Sequence, residues 1–212
     1  PQTENPQSLT EQVILFGDSP LVTRMADHLG PANHPFKRVP ETDGRLAEVD
    51  GAVIYTSDGR SATQRAFETG VSNTVLVDIV LDYTKATRIA MSVANQCAAN
   101  AAAAAVALLQ ASGFAVSCFA DVPGLPVVRT VAMLANEAAD AVNQRVCSAA
   151  GADAAMRLGV NYPQGPLAWA DQLGVSQTRE VLMNLGRCYG EDRYRVSPLI
   201  QHCAFASRNI HD

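Results

Sequence analysis

Residues 121–142 read DVPGLPVVRTVAMLANEAADAV, and the texture of the chain changes there. The DVPG at 121–124 is a turn. Beyond it Val127, Val131, Leu134, Ala138 and Val142 recur at helical spacing, which predicts one long helix. Shorter helices are predicted over 149–158, 167–173 and 177–189, the last with Ser176 as N-cap. The stretch 159–166 holds Pro163, Gly165 and Pro166 and reads as a loop. No strand pattern follows residue 124.

Upstream the pattern is different. VILF at 13–16 is a short apolar run ending at Gly17, as expected of a strand buried on both faces. Residues 20–29 carry Leu21, Met25 and Leu29 at helical spacing, with Ser19 as N-cap and Pro20 at the first helical position. Residues 30–50 are rich in Pro and Gly and read as loop, with one edge strand at 36–39. Further strands are predicted at 51–56, 74–80, 88–93 and 114–119. A short helix at 61–70 stops at Gly70, and an alanine-rich helix spans 97–111, where small side chains favour the helix and close packing. Alternating strands and helices followed by helices alone predict two domains in series, α/β and then all-α. We assign 1–11 to a tail or linker, 12–120 to a Rossmann-like parallel sheet without dinucleotide glycines, and 121–212 to a helical domain.

Composition narrows the function classes. The chain has 212 residues, 16 Lys+Arg against 21 Asp+Glu, a net charge of −5, 48% hydrophobic and 17% charged residues. That excludes disorder. An acidic balance without a basic run excludes a nucleic-acid binder, whose phosphate contacts need a basic face. No apolar stretch reaches the ~18 residues of a membrane span. The first twelve residues lack the basic and apolar regions of a signal peptide, and the absence of an initiator Met at Pro1 leads us to expect an excised or processed piece. Five cysteines without CxxC spacing point to reduced thiols in a cytoplasm, and with four scattered histidines they give no zinc-ligand cluster.

The first strand-turn-helix occupies the place where a dinucleotide fold keeps GxGxxG, glycines that let the backbone approach a pyrophosphate. Here it reads Gly17-Asp18-Ser19-Pro20-Leu21-Val22: the first glycine stays, and Ser19 and Val22 replace the others. Asp18 adds negative charge and Pro20 removes an N–H donor. Glu41 lies near the spacing of a ribose-binding acid. The expectation is a Rossmann-like layer that binds no cofactor.

The segments 121–142 and 156–174 (MRLGVNYPQGPLAWADQLG) together carry Pro123, Gly124, Leu125 and Arg129, then Asn136-Glu137-Ala138, then Gly159, Pro163, Gly165, Pro166 and Asp171. In this order they resemble the C-terminal domain of the NAD-dependent 3-hydroxyacyl-CoA dehydrogenases. That domain has a D-x-PGF-x-x-NR turn into a long helix holding NEA, then a G-x-P-x-GP loop and an Asp in the next helix. The likeness is greatest to the degenerate second half of the long, duplicated bacterial members linked to phenylacetate catabolism and fatty-acid β-oxidation. We take Pro123, Gly124, Arg129, Asn136, Glu137, Gly165, Pro166 and Asp171 as family-motif positions of structural or cleft character.

The resemblance also shows what is missing. In the family a His is general acid/base, and a Glu about twelve residues on orients it. The matching stretch here, VLVDIVLDYTKATRIAM at 75–91, has neither; it offers Asp78 and Asp82. The family's catalytic Asn precedes the Arg of its turn, and Val128 stands there. No catalytic, cofactor-binding or metal residue is therefore assigned. No GxSxG elbow supports a serine hydrolase. Arg129, Asn136, Asp140 and Asn143 form a polar stripe read as a solvated face that could also line a cleft or partner surface. Trp169 reads as a core or interface aromatic, and Asn161 and Gln164 as turn residues.

Three readings stay open. In the first, the chain is the C-terminal part of a cytoplasmic 3-hydroxyacyl-CoA dehydrogenase. NAD and acyl-CoA are then used by the parent, which carries an N-terminal dehydrogenase unit. This part supplies scaffold, a substrate-side wall and a homodimer interface through 121–212. In the second it is a non-catalytic acyl-CoA-binding or regulatory module. The third is an active oxidoreductase with an unfamiliar site.

Overall fold

The computed structural model describes residues 12–212, so the expected tail at 1–11 lies outside the described residues. The chain divides into two compact units: one ends at Leu125, and the other comprises Pro126–Asp212 together with Asp58–Arg60.

The first unit is built on seven strands among the described residues: β1 Val13–Phe16, β2 Phe36–Val39, β3 Arg45–Val49, β4 Ala52–Thr56, β5 Thr74–Val77, β6 Arg88–Val93 and β7 Ala115–Cys118. They pair in the order β2-β1-β3-β4-β5-β6-β7. The sheet is mixed, where a parallel one was expected. The pairs β1/β2, β4/β5 and β6/β7 are parallel, whereas β1/β3, β3/β4 and β5/β6 are antiparallel. Two causes act: no helix lies between β5 and β6, so β6 returns beside β5 without a crossover, and β3 stands within 30–50, where loop and one edge strand were expected. Asp50 (φ 45°) and Gly51 (φ 80°) form a tight reversal with positive φ at both positions, so β3 returns as β4 in a hairpin.

Helices α1 (Pro20–Leu29), α2 (Ala62–Thr69) and α3 (Ala99–Ala111) complete this unit. Alternate residues of β4 face opposite ways. Ala52 and Ile54 join the core made with Met25 and Leu29 of α1 and Ala105, Leu108 and Leu109 of α3. Val53 and Tyr55 pack with Ala62 and Ala66 of α2. Ser19 and Pro20 cap α1, and Gly70, in the left-handed region, ends α2, as their chemistry predicts.

The second unit is helical: α4 Pro126–Asn143, α5 Ala149–Gly159, α6 Pro166–Leu173, α7 Val175–Tyr189 and α8 Pro198–Phe205, with a 3-10 turn at Asp192–Tyr194. Helix α4 packs against all four others. Its buried residues are Val128, Val131, Ala132, Ala135, Asn136 and Ala139. Of the predicted stripe only Val131 is among them, and Val127, Leu134, Ala138 and Val142 are half-buried flanks. A helix contacted by four neighbours buries a broad face, and alanines rather than large side chains sit at its close contacts. The N-cap of α7 is Gly174 rather than Ser176, which lies inside the first turn. Helix α8 went unread in the sequence.

The loop Asp58–Arg60 is fixed by Asn184 of α7, whose Nδ2 donates to the Asp58 carbonyl at 2.9 Å. Gly59 has φ +93°, and a Cβ there would lie 2.5 Å from the Val181 carbonyl oxygen. Gly59→Ala is expected to lower stability by about 1–3 kcal/mol through combined backbone strain and clash. Urea unfolding measures it, and an unchanged midpoint would refute this account of the loop.

Candidate functional site

The β1–α1 turn keeps the backbone of a nucleotide-binding turn but not its free donors. Gly17 has φ +71°; its N–H donates to the Val39 carbonyl at 2.9 Å, and its own carbonyl accepts from Arg38 Nε at 2.8 Å. A Cβ on Gly17 would lie 2.9 Å from Cβ of Glu41, so the candidate ribose acid is indeed beside the turn. Its Oε1, however, accepts from the Gly44 N–H at 2.9 Å. Along the first turn of α1, Pro20 has no N–H, Val22 N–H donates to Ser19 Oγ at 3.4 Å, and Thr23 N–H donates to the Ser19 carbonyl at 2.9 Å.

Within 75–91 both carboxylates are held by neighbouring groups. Asp78 is buried and accepts from the Ile79 N–H at 2.9 Å. Asp82 accepts from the hydroxyl and N–H of Thr84 and lies 3.0 Å from Lys85 Nζ. The Thr84 hydroxyl and then Lys85 hold its pKa down to about 2, so it is ionised at neutral pH.

The motif positions separate into two kinds of place. Gly124 turns at φ +69° and Pro123 is half-buried beside it, both in the first unit. The remaining six belong to the helical unit. Arg129 Nη1 donates to Tyr189 Oη at 3.1 Å and Nη2 to Tyr194 Oη, and the guanidinium carbon stands 4.7 and 5.5 Å from the two ring centroids. Burial opposes its charge, but the Tyr189 hydrogen bond and the two phenol oxygens outweigh that and raise its pKa. Asn136 is 2% exposed: Nδ2 donates to the Arg195 carbonyl at 2.9 Å and Oδ1 accepts from the Ser197 N–H at 2.8 Å. Glu137 faces solvent. The polar stripe therefore splits: Asn136 is a buried tie, Asp140 pairs with Arg195, and Asn143 is exposed.

Gly165 and Pro166 open α6 around a carboxylate that the sequence reading missed. Asp153 of α5 accepts from the N–H groups of Leu167 and Ala168 at 2.9 and 3.0 Å. A Cβ on Gly165 would lie 2.0 Å from Asp153 Cγ, so the glycine makes room for the cap. Asp171 accepts from the Ile210 N–H at 2.7 Å and contacts His211 Nδ1 at 2.6 Å, while His211 Nε2 lies 3.2 Å from Asp153. Nothing in local sequence marks Asp153 or His211, because their partners are 14 and 40 residues away. Trp169 is a core aromatic, 5.6 Å from the Tyr162 ring.

Two family models match in tandem. The 3-hydroxybutyryl-CoA dehydrogenase reduced Rossmann-fold domain matches residues 54–123, and the 3-hydroxyacyl-CoA dehydrogenase C-terminal domain matches 124–209. A 3-hydroxyadipyl-CoA dehydrogenase of Escherichia coli K12 is 39% identical over 170 residues, 80% of this chain and 34% of that protein.

The chain belongs to the 3-hydroxyacyl-CoA dehydrogenase family.

A crystal structure of a 3-hydroxybutyryl-CoA dehydrogenase from E. coli K12 superimposes with a TM-score of 0.72 at 37% identity, over 78% of this chain and 34% of that one. The structure of Mycobacterium tuberculosis FadB2 shares the fold, with a TM-score of 0.63 at 14% identity over 93% of this chain and 69% of that one. The chain thus spans about a third of the length of the E. coli relatives it matches. Against this family the six helical-unit positions are, for the most part, packing and capping residues. Val128, the position that the resemblance sets against the family's Asn, is 1% exposed.

Gly165→Ala is expected to displace Asp153 from the α6 N-terminus and to cost on the order of 2–4 kcal/mol, overpacking and lost cap together. Thermal or urea unfolding reads the loss, and wild-type stability would show that Asp153 does not hold this junction.

Proposed function

We propose that the chain is the non-catalytic part of a 3-hydroxyacyl-CoA dehydrogenase. The parent oxidises a 3-hydroxyacyl-CoA to the 3-oxoacyl-CoA with NAD, and its own dehydrogenase unit supplies the chemistry. This part supplies scaffold, a wall beside the substrate and an oligomer interface. The name of the 39%-identical relative, a 3-hydroxyadipyl-CoA dehydrogenase, supports an acyl-CoA substrate; the place in phenylacetate or fatty-acid breakdown rests on the resemblance of the sequence motifs alone. Exposed Val146, Leu158, Val160 and Phe205 on the helical unit support a homodimer contact there. No helix among the described residues is long and apolar enough to cross a membrane; a cytoplasmic location is part of the proposal and rests on the five cysteines without CxxC spacing.

The observation that carries this reading is Val128. A buried valine cannot donate to an oxyanion, and the stretch expected to hold the acid/base pair has Asp82 charged and no His or Glu. The residues at the β1–α1 turn do not fit NAD. Asp18 would meet the pyrophosphate, Pro20 has no N–H, and Ser19 already takes that of Val22. No reaction step is therefore routed through a dinucleotide on this chain.

Val128→Asn restores the amide that the family uses. An amide at a developing oxyanion is worth about 3 kcal/mol, but only with a base and hydride acceptor in place. The variant is expected to be inactive in 3-hydroxybutyryl-CoA-dependent NAD reduction. It should also unfold more easily, because a buried amide without partners costs on the order of 1–3 kcal/mol. Turnover above the uncatalysed rate would overturn the proposal.

A further inference from the structure

Arg129 is half-buried, and its guanidinium donates to two neutral phenols rather than to a carboxylate. Among the described residues no Asp or Glu forms an ion pair with it. This contrasts with Arg60, Arg193 and Arg195 of the same unit, which pair with Asp58, Glu191 and Asp140. A guanidinium has five N–H donors, and two of them reach the tyrosines, so three remain. Each phenol accepts from Arg129 and keeps its own proton to donate. The rings of Tyr189 and Tyr194 stack with centroids 5.4 Å apart, and Tyr194 is 3% exposed, so the donors are held in place before any ligand arrives. The cluster is cationic, rich in donors and poor in acceptors.

We infer that Arg129, Tyr189 and Tyr194 form an oxyanion subsite that binds a carboxylate or phosphate group through the remaining guanidinium protons and the Tyr189 hydroxyl. A planar, preorganised guanidinium favours paired contacts to two oxygens of one group. Two sources share this chemistry: the distal carboxylate of a dicarboxylic acyl group, and a phosphate of a nucleotide-bearing thiol. The inference concerns binding alone and stands whether or not the parent's chemistry lies elsewhere.

The test is a 1H–15N NMR titration of the full chain with sodium adipate and with inorganic phosphate, each against sodium chloride at equal ionic strength. Saturable shifts at the Arg129 Nε–H with either anion, beyond the chloride control, are expected. Stronger adipate binding assigns a carboxylate ligand, stronger phosphate binding a phosphate, and equal binding a general oxyanion subsite. Arg129→Gln is expected to weaken binding about tenfold or more. Tyr189→Phe keeps the ring beside the guanidinium and removes one hydroxyl, so it decides the matter if Arg129→Gln fails to fold; weaker binding with native dispersion is expected. No shift beyond chloride, or wild-type affinity in Tyr189→Phe and in any folded Arg129→Gln, would overturn the inference.

Discussion

The buried face of a helix contacted by four others can carry a polar side chain only where the donors and acceptors of that side chain find partners. Helix α4 is such a helix, and Asn136 meets the condition by joining the Arg195 carbonyl to the Ser197 N–H. That one amide ties down the chain entering α8 and satisfies the buried Ser197 N–H. The same constraint acts eight residues earlier, at Val128, where no polar side chain is kept and the space is filled by an apolar one. The polar Asn136 and the apolar Val128 on the buried face of α4 thus follow one rule.

That rule separates the family's structural residues from its chemical ones. Gly165, Asp153 and Asp171 hold α5, α6 and residues 210–211 together. The β1–α1 turn tells the opposite story: it keeps a positive-φ glycine, because the chain must still turn there, while its donors are taken by Ser19 and lost to Pro20.

Much of the fold was legible in the sequence because it is written locally. VILF, GAVIYT and FAVSCF are apolar runs of strand length, and Ser19-Pro20 and Gly70 are capping chemistry that needs no distant partner. Strand β3 was missed because RLAEV carries two charges and follows a Pro- and Gly-rich stretch; the Asp50-Gly51 reversal beside it was the available signal. The site was less legible. The expectation that 75–91 and Val128 carry no catalytic group came only from the resemblance, position by position. Asp153, His211, Tyr189 and Tyr194 act through contacts spanning 14 to 65 residues, and no periodicity encodes those.

The central claim is that this chain keeps the architecture of its family without the chemistry, and the dinucleotide is where the two meet. Titrating NADH with the purified 212-residue chain and following nicotinamide fluorescence tests it most directly. The account predicts a linear response with no saturation. Saturable binding with a micromolar dissociation constant, about −8 kcal/mol, would contradict it.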